Sequence, residues 1–417
     1  MQVDAPAFPT GLGLTEAQSR IVEIAAKYKL GTESILLQSA LGRVLARDVI
    51  APFDVPGFVN SAMDGYAVRG ADLPAQGDTR LRLIGSVLAG GAAAPEVLPG
   101  TCVRITTGAP LPNGADTVVM KENTQILAQT DGDTVVIAAG TLNGANVRPA
   151  GEDYAAGDFA LARGNVLTPA RLGALASFGQ TQVEVVRRTR AVLLTTGDEL
   201  VAPGSPLGFG GIYDSNRYSL GALIEQHGAQ LLRHERLRDD PALLREALLR
   251  AGEDADVVIS SGGVSAGEAD YLPRLLAEVG KVYFWKVRIK PGLPFLCGSA
   301  GSALVFALPG NPVSGIATFL TLVRPALDAL SDRHVQAPQL RARLALALQK
   351  RHARTEFMRA NLHCDESGTL HATPLRKQGS GMLRGVAEAD ALIVLPELAG
   401  EYAVGAIVDV LPLPGWP

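Results

Sequence analysis

Three stretches of the 417-residue sequence end an apolar run in hydroxyls and glycines: LLTTGDEL at 193–200, VISSGGVSAGEAD at 258–270 and FALPGNPVSG at 306–315. Free backbone amides at helix N-termini, with small hydroxyl side chains beside them, hold anions and phosphates above all. Thr196, Gly262, Gly263, Ser265, Pro309, Asn311 and Pro312 are the candidates for such contacts. The two glycines let the backbone approach a ligand closely, and the PGNP run makes a stiff turn. One such loop alone is an ordinary strand-to-helix turn. Three at one sheet edge point to a phosphate-bearing ligand, because ligands of open α/β sheets bind outside the carboxyl ends of the strands. None of the three is GxGxxG after a first strand or GxxxxGK[ST], so the dinucleotide fingerprint and the P-loop are both excluded.

A second signal is FWKVRIKPG at 284–292. On a strand, Lys286, Arg288 and Lys290 share one face. They make either an oxyanion site or an edge strand guarded by charge, and the neighbouring loops favour the anion. The third signal is acidic. Glu199, Asp239 and Asp270 fall at strand ends or loops, although Asp239 also reads as a helix cap. Acids beside phosphates imply Mg²⁺, which takes one or two carboxylates plus phosphate oxygens. These residues alone describe an Mg²⁺-dependent enzyme acting on a phosphorylated small molecule. Asp64 stands apart, in SAMDGYAVRG at 61–70. It follows a run in which Pro52, Pro56 and Gly57 break regular structure and Phe53 and Phe58 call for burial.

Other chemistries are excluded. Cys102, Cys297 and Cys364 are odd in number, far apart and not in CxxC spacing, which argues for a reducing cytoplasm and against a disulfide framework or zinc. The six histidines form no HxxxH or HExxH pair. A net charge of −4 argues against a general nucleic-acid binder. No apolar run approaches the ~20 residues of a membrane span, and the first residues lack the pattern of a signal peptide.

The elements that must position these groups are legible in outline. LTEAQSRIVEIAAKY reads as a helix capped by Thr15, and TESILLQSALGRVLARDV reads in the same helical style. Residues 52–148 change to short β-type runs parted by Gly, Pro and Asn. A helix returns at TPARLGALASFG, with Thr168 as cap and Pro169 at its first position. From 188 to about 330 strands alternate with helices, which means a parallel, doubly wound sheet. Residues from about 337 onward read as short strands of a small barrel or sandwich.

SAMDGYA, ITTGAPLPNGAD, RPAGEDYAAGD, TTGDEL, SGGVSAGEADY, WKVRIKPGLPF and LPGNPVS occur together and in order. With these the chain resembles, over nearly its whole length, the molybdopterin molybdenumtransferases, the MoeA-type enzymes related to the second half of gephyrin. The resemblance implies a multidomain α/β plus β fold. Its parts would be an N-terminal helical or extended region (1–51 and 149–187), an inserted β domain (52–148), a MogA-like α/β molybdopterin-binding domain (188–333) and a C-terminal β-barrel (334–417). It implies insertion of molybdenum from molybdate into adenylylated molybdopterin, with Mg²⁺ used and AMP released. It implies a cytoplasmic homodimer with small-molecule substrates and transient contact with the adenylylating enzyme and with molybdoenzyme maturation factors. It implies no nucleic-acid partner and no membrane. By resemblance, Asp64 is offered to the cleft across the dimer, with Thr107 and Asp153 as further cleft residues. Glu199, Asp239 and Asp270 would handle Mg²⁺, pyrophosphate or water. Lys286 and Lys290 would hold phosphate or molybdate, and Pro309 and Pro312 would shape the pterin loop. Arg359 and Ser380 would bring the C-terminal domain to the anion. The family often reads KPGKP, whereas Leu293 stands here in place of the second lysine and removes one charge. Gephyrin-like proteins also cluster receptors through this fold, so a scaffold is the alternative, as is another pterin or nucleotide-phosphate enzyme.

Overall fold

The computed structural model describes residues 8–91, 94–130, 132–263, 271–334 and 340–416. At its centre lies a seven-stranded sheet. Its order is Thr10–Leu12, Gly280–Val287, Leu296–Ala300, Ala303–Leu308, Val257–Ser261, Arg190–Thr196 and Gln230–Leu237. All neighbours are parallel except those of Leu296–Ala300, which runs against both of its partners. The three central strands are almost wholly apolar because both faces are covered. Leu193, Ile259 and Phe306 stand in register and bury toward Leu220, Ile224 and Phe319. Val192, Val258 and Val305 alternate to the other face, against Leu244, Leu248, Leu272 and Leu276. Helix Asn216–Gln226 and the long helical run Pro312–Leu330 therefore cover one face, and helices Pro241–Asp254 and Tyr271–Val279 cover the other. Each fully buried aliphatic or aromatic side chain contributes about 1.5–3 kcal/mol. Pro312–Leu330 is long and apolar enough to cross a bilayer by length and composition, but 78% of it is buried inside this fold.

Register does the positioning. Thr195 pairs with Ser261, and Ser261 with Leu308, so the three hydroxyl- and glycine-rich exits leave the sheet side by side.

The N-terminal segment departs from expectation twice. Helix Leu14–Ala25 begins after Gly13, not Thr15, because the Ala17 amide bonds to the Gly13 carbonyl at 2.9 Å. A Cβ on Gly13 would lie 2.9 Å from a Glu397 oxygen. This helix packs its Ala17, Ile21 and Ala25 stripe into the α/β core. The expected second helix is absent. Thr32–Leu36 is a strand, Leu37–Ser39 a single 3-10 turn and Val49–Ile50 a short strand. Thr32–Leu36 pairs with Gln182–Val186 in an antiparallel ladder, Ile35 opposite Val183. That ladder satisfies the backbone groups a helix would have used, and such tertiary pairing overrides local propensity. Helix Pro169–Ser177 matches its signals, with the Thr168 hydroxyl accepting from the Arg171 amide and Pro169 in the first turn.

A six-stranded sheet fills the region between, in the order Thr117–Met120, Gly65–Val68, Thr101–Ile105, Asp78–Val87, Thr134–Ala138 and Thr124–Leu127. After residue 340, five strands close on one another through the pairing of Thr355–Cys364 with Ala391–Leu395, forming a small barrel. A short piece, Ile289–Lys290, leaves the central sheet and joins that barrel beside Thr355 and Glu356. Arg288 lies between the two sheets. Its amide bonds to Leu12, its carbonyl accepts from Thr355, and its guanidinium pairs with Glu397 at 3.0 Å.

Asp256 fastens the N-terminal segment to the sheet. It receives two bonds from the Arg187 guanidinium, at 2.6 and 2.7 Å, and one from the Arg190 amide at 2.7 Å. Burial pushes its carboxyl upward, but these bonds outweigh burial and hold it below the ordinary carboxylate range. A lowered folded-state value gives stability that is complete above pH about 4 and is lost as the pH falls through the lowered value. Asp256→Asn is expected to cost about 2 kcal/mol at neutral pH. Urea midpoints of variant and native protein should converge as the pH falls below 4.

Candidate functional site

A cleft of about 940 Å³ opens where the three strand exits face the barrel. Thr195, Thr196, Ser261, Pro309, Asn311 and Pro312 form the sheet side. Lys290, Leu293, Arg354, Glu356 and the loop Gln378–Gly381 form the opposite wall.

The exits are built tightly. Gly262 has φ +101° and Gly263 φ +69°, conformations that favour glycine. A Cβ on Gly262 would stand 2.5 Å from the Thr196 carbonyl oxygen. Asn216 ties the edge together, its side-chain amide donating to Ser261 Oγ at 2.8 Å and to the Gly310 carbonyl at 2.7 Å. Asp214, 2% exposed, accepts from Thr195 Oγ1 at 2.7 Å and from the Arg217 amide at 3.0 Å, and His234 Nε2 lies 3.5 Å away. Burial alone would raise the Asp214 carboxyl, but its partners His234 and Thr195 bring it below the usual range. It therefore enters the cleft floor as a fixed negative charge that also caps helix Asn216–Gln226. The Thr196 hydroxyl is buried with no hydrogen-bond partner among the described residues.

The expected residues divide into three groups. Thr196, Glu199, Lys290, Pro309, Asn311, Pro312 and Ser380 line the cleft, and Gly262 and Gly263 support it from behind Thr196. Asp270 and Ser265 lie outside the described residues. The remaining residues stand elsewhere in this chain. Lys286 takes φ +61° and lays its ammonium 3.8 Å from the Trp285 ring centre, away from the lining. The expected row of three free cations is therefore broken up: Lys286 is on Trp285, Arg288 on Glu397, and Lys290 on Glu356 at 2.9 Å. Asp239 sits with its amide 3.4 Å from Asp198, while Asp240 caps helix Pro241–Asp254. Arg359 is 1% exposed, and its guanidinium donates to the carbonyls of Gly379 and Lys377 at 2.9 and 2.8 Å. It shapes the loop that carries Ser380 and does not line the cleft. Ser380 in turn meets Asn311 at 3.1 Å.

Asp64 and Thr107 belong to the inserted region, and Asp153 lies just after it in the stretch 149–187. Asp64 accepts from the Thr107 amide at 2.8 Å and hydroxyl at 2.9 Å, and Lys121 stands 3.9 Å away. The Thr107 bonds hold its carboxyl below the usual range, so it is ionised. The Ser61 hydroxyl locks the turn before it, donating to the Met63 carbonyl at 2.6 Å and accepting from the Met63 amide at 3.2 Å. Phe53 and Phe58, expected to be buried, are each 48% exposed in the single chain. Asp153 is exposed.

Mg²⁺ fits this site in one respect. Among the described residues no three His, Cys, Asp or Glu side chains converge as a preformed cage. Mg²⁺ held by one or two carboxylates and a ligand's phosphates needs no cage, and Glu199 is a carboxylate on the cleft wall.

Sequence reasoning missed Asp214, Asn216, Arg354 and Glu356. The DSN run at 214–216 is a capping signal just before the helix, and it could have been read. Glu356 carries no local signal, since only the pairing of Lys290 with the barrel brings it to the cleft.

Residues 12–179 match the family description "MoeA N-terminal region (domain I and II)". Residues 192–329 match "Probable molybdopterin binding domain", and 341–413 match "MoeA C-terminal region (domain IV)". A molybdopterin molybdenumtransferase of Haemophilus influenzae is 38% identical over 96% of this chain and 98% of its own. Molybdopterin molybdenumtransferase 2 of Mycobacterium tuberculosis is 36% identical over 90% of this chain and 94% of its own. The crystal structure of a molybdopterin biosynthesis MoeA protein from Pyrococcus horikoshii OT3 superposes with a TM-score of 0.83 at 28% identity, over 97% of this chain and all of that one.

Proposed function

Because the chain belongs to the family of molybdopterin molybdenumtransferases, transferases of molybdenum cofactor biosynthesis, we propose that it inserts molybdenum from molybdate into adenylylated molybdopterin and releases AMP. The observation that carries this reading is the cleft itself, with three amide- and hydroxyl-rich strand exits on one side and Lys290 with the Ser380 loop on the other. Such an arrangement suits a phosphate-bearing ligand on the sheet side and a small oxyanion toward the barrel. Glu199 would hold Mg²⁺ against the phosphates, with Asp270 and Asp239 as further candidates. Mg²⁺ neutralises phosphate charge and eases attack on phosphorus when bound.

Asp64 serves the cleft of a second copy in this reading, joined by Thr107 and Asp153. Two features support a homodimer. Asp64 lies in a region that contributes nothing to its own chain's cleft lining. Phe53, Phe58 and Phe159 are half exposed, as residues of an isologous interface would be in a single chain. We also propose the four-domain division given above, a cytoplasmic setting consistent with three free cysteines, and transient contact with the adenylylating enzyme and maturation factors.

The test is one reaction. Purified protein, adenylylated molybdopterin, Mg²⁺ and molybdate are mixed, and AMP is followed with pterin-bound molybdenum. Both are expected, and both should require molybdate. Binding of the adenylate without AMP release would make the chain a binder or scaffold.

A further inference from the structure

Lys290 does not reach the cleft as a free cation. It is the register partner of Glu356 in the parallel pairing of Ile289–Lys290 with Thr355–Cys364. Side chains of such partners point to one side of the sheet. The Lys290 ammonium lies 2.9 Å from Glu356 Oε1, with the lysine half exposed and the glutamate 9% exposed. On the other side of the carboxylate, His352 Nε2 is 3.1 Å from Oε2. Burial lowers the His352 pKa below its ordinary value, which favours the neutral ring. Lys350 is close by, but its ammonium donates to the carbonyls of His352, Glu397 and Leu398. Lys290 is thus the cation bound to this carboxylate.

An ammonium has three donors. One directed at a buried, fixed acceptor leaves two aimed outward and removes most of the freedom of a four-carbon stem. We propose that Glu356 is a positioning residue for the reaction, holding the Lys290 ammonium in the orientation that meets the oxyanion. This rests on the site reading above. Glu356 touches no substrate in this role; it acts through Lys290.

The role has a signature that loss of structure would not give. Glu356→Gln keeps the shape and removes a negative charge near the anion. The molybdate concentration at half-saturation should stay level or fall, because the net local charge becomes more positive. The turnover number should drop by roughly tenfold to a hundredfold, because the ammonium is misplaced by a fraction of a side-chain length. Glu356→Asp, with a carboxylate, should recover part of it. The experiment is a double-mutant cycle of Glu356→Gln with Lys290→Ala, read as kcat and KM for molybdate with the adenylylated pterin. The expected result is that the double variant is no slower than Lys290→Ala alone. Losses that multiply, or a raised KM with unchanged kcat, overturn the positioning role while leaving the site intact. Full turnover in Lys290→Ala alone overturns the reading of the site, and the positioning role with it.

Discussion

A mixture of Asp64→Ala and Lys290→Ala subunits is expected to regain roughly a quarter of native turnover, although each variant alone is slowed by about a hundredfold. Neither substitution removes a buried side chain. The Asp64 side chain is 49% exposed and that of Lys290 47%. Each removes one charge from the proposed chemistry. If every site draws Asp64 from one subunit and Lys290 from the other, a mixed dimer holds one intact site and one doubly damaged site. Random exchange makes half of all dimers mixed, which gives the quarter. If both residues served the cleft of their own chain, no mixed dimer would hold an intact site and the mixture would stay at the floor. Turnover measured after exchange under mild denaturant separates the two. Sedimentation of the native protein at micromolar concentration should show a dimer beforehand.

The second large effect concerns Arg359. Arg359→Leu is expected to lower stability by about 3 kcal/mol and to raise the KM for molybdate. Its buried guanidinium has no carboxylate partner among the described residues and donates only to the carbonyls of Gly379 and Lys377. Burial accordingly lowers its pKa. Gln378 completes the clasp, accepting from the Arg359 amide at 3.0 Å and donating back to its carbonyl at 2.9 Å. Removing the guanidinium leaves two carbonyls bare and a void in the barrel wall. The loop then loses the anchor that keeps the Ser380 carbonyl against the Val313 amide at 3.1 Å. Denaturant titration reads the first effect and saturation kinetics the second. An unchanged midpoint would show that the loop holds itself.

The sequence displayed the sheet edge well, because its signals are local. A strand that ends in Thr-Gly, Ser-Gly or Pro-Gly-Asn-Pro carries its own turn chemistry, and register then lined the three exits up. The cap at Thr168 was legible for the same reason. What failed depended on partners far along the chain. Nothing within 32–36 says that Val183 and Val185 wait to pair with it, so the stretch read as helix. The alternation of Lys286, Arg288 and Lys290 predicts three cations on one face, which the structure does not have. A positive φ at Lys286 and the change of sheet after Arg288 send the three side chains to three different partners. Arg359 was assigned to the anion from resemblance, whereas its burial turns it to the loop behind. Glu356 was invisible because it joins Lys290 only through a pairing across 66 residues.

That pairing also sets a timetable. The strand exits are complete once residues 190–315 have folded, but the opposite wall depends on Thr355–Glu356 and on the Gln378–Gly381 loop. During synthesis on the ribosome the cleft therefore begins as an open shelf. Ile289–Lys290 waits as an unpaired edge until the last eighty or so residues emerge and the barrel closes against it. A chain halted before residue 355 would carry the strand exits without the wall that faces them. A nascent protein of this design exposes one wall of its cleft before it possesses the other.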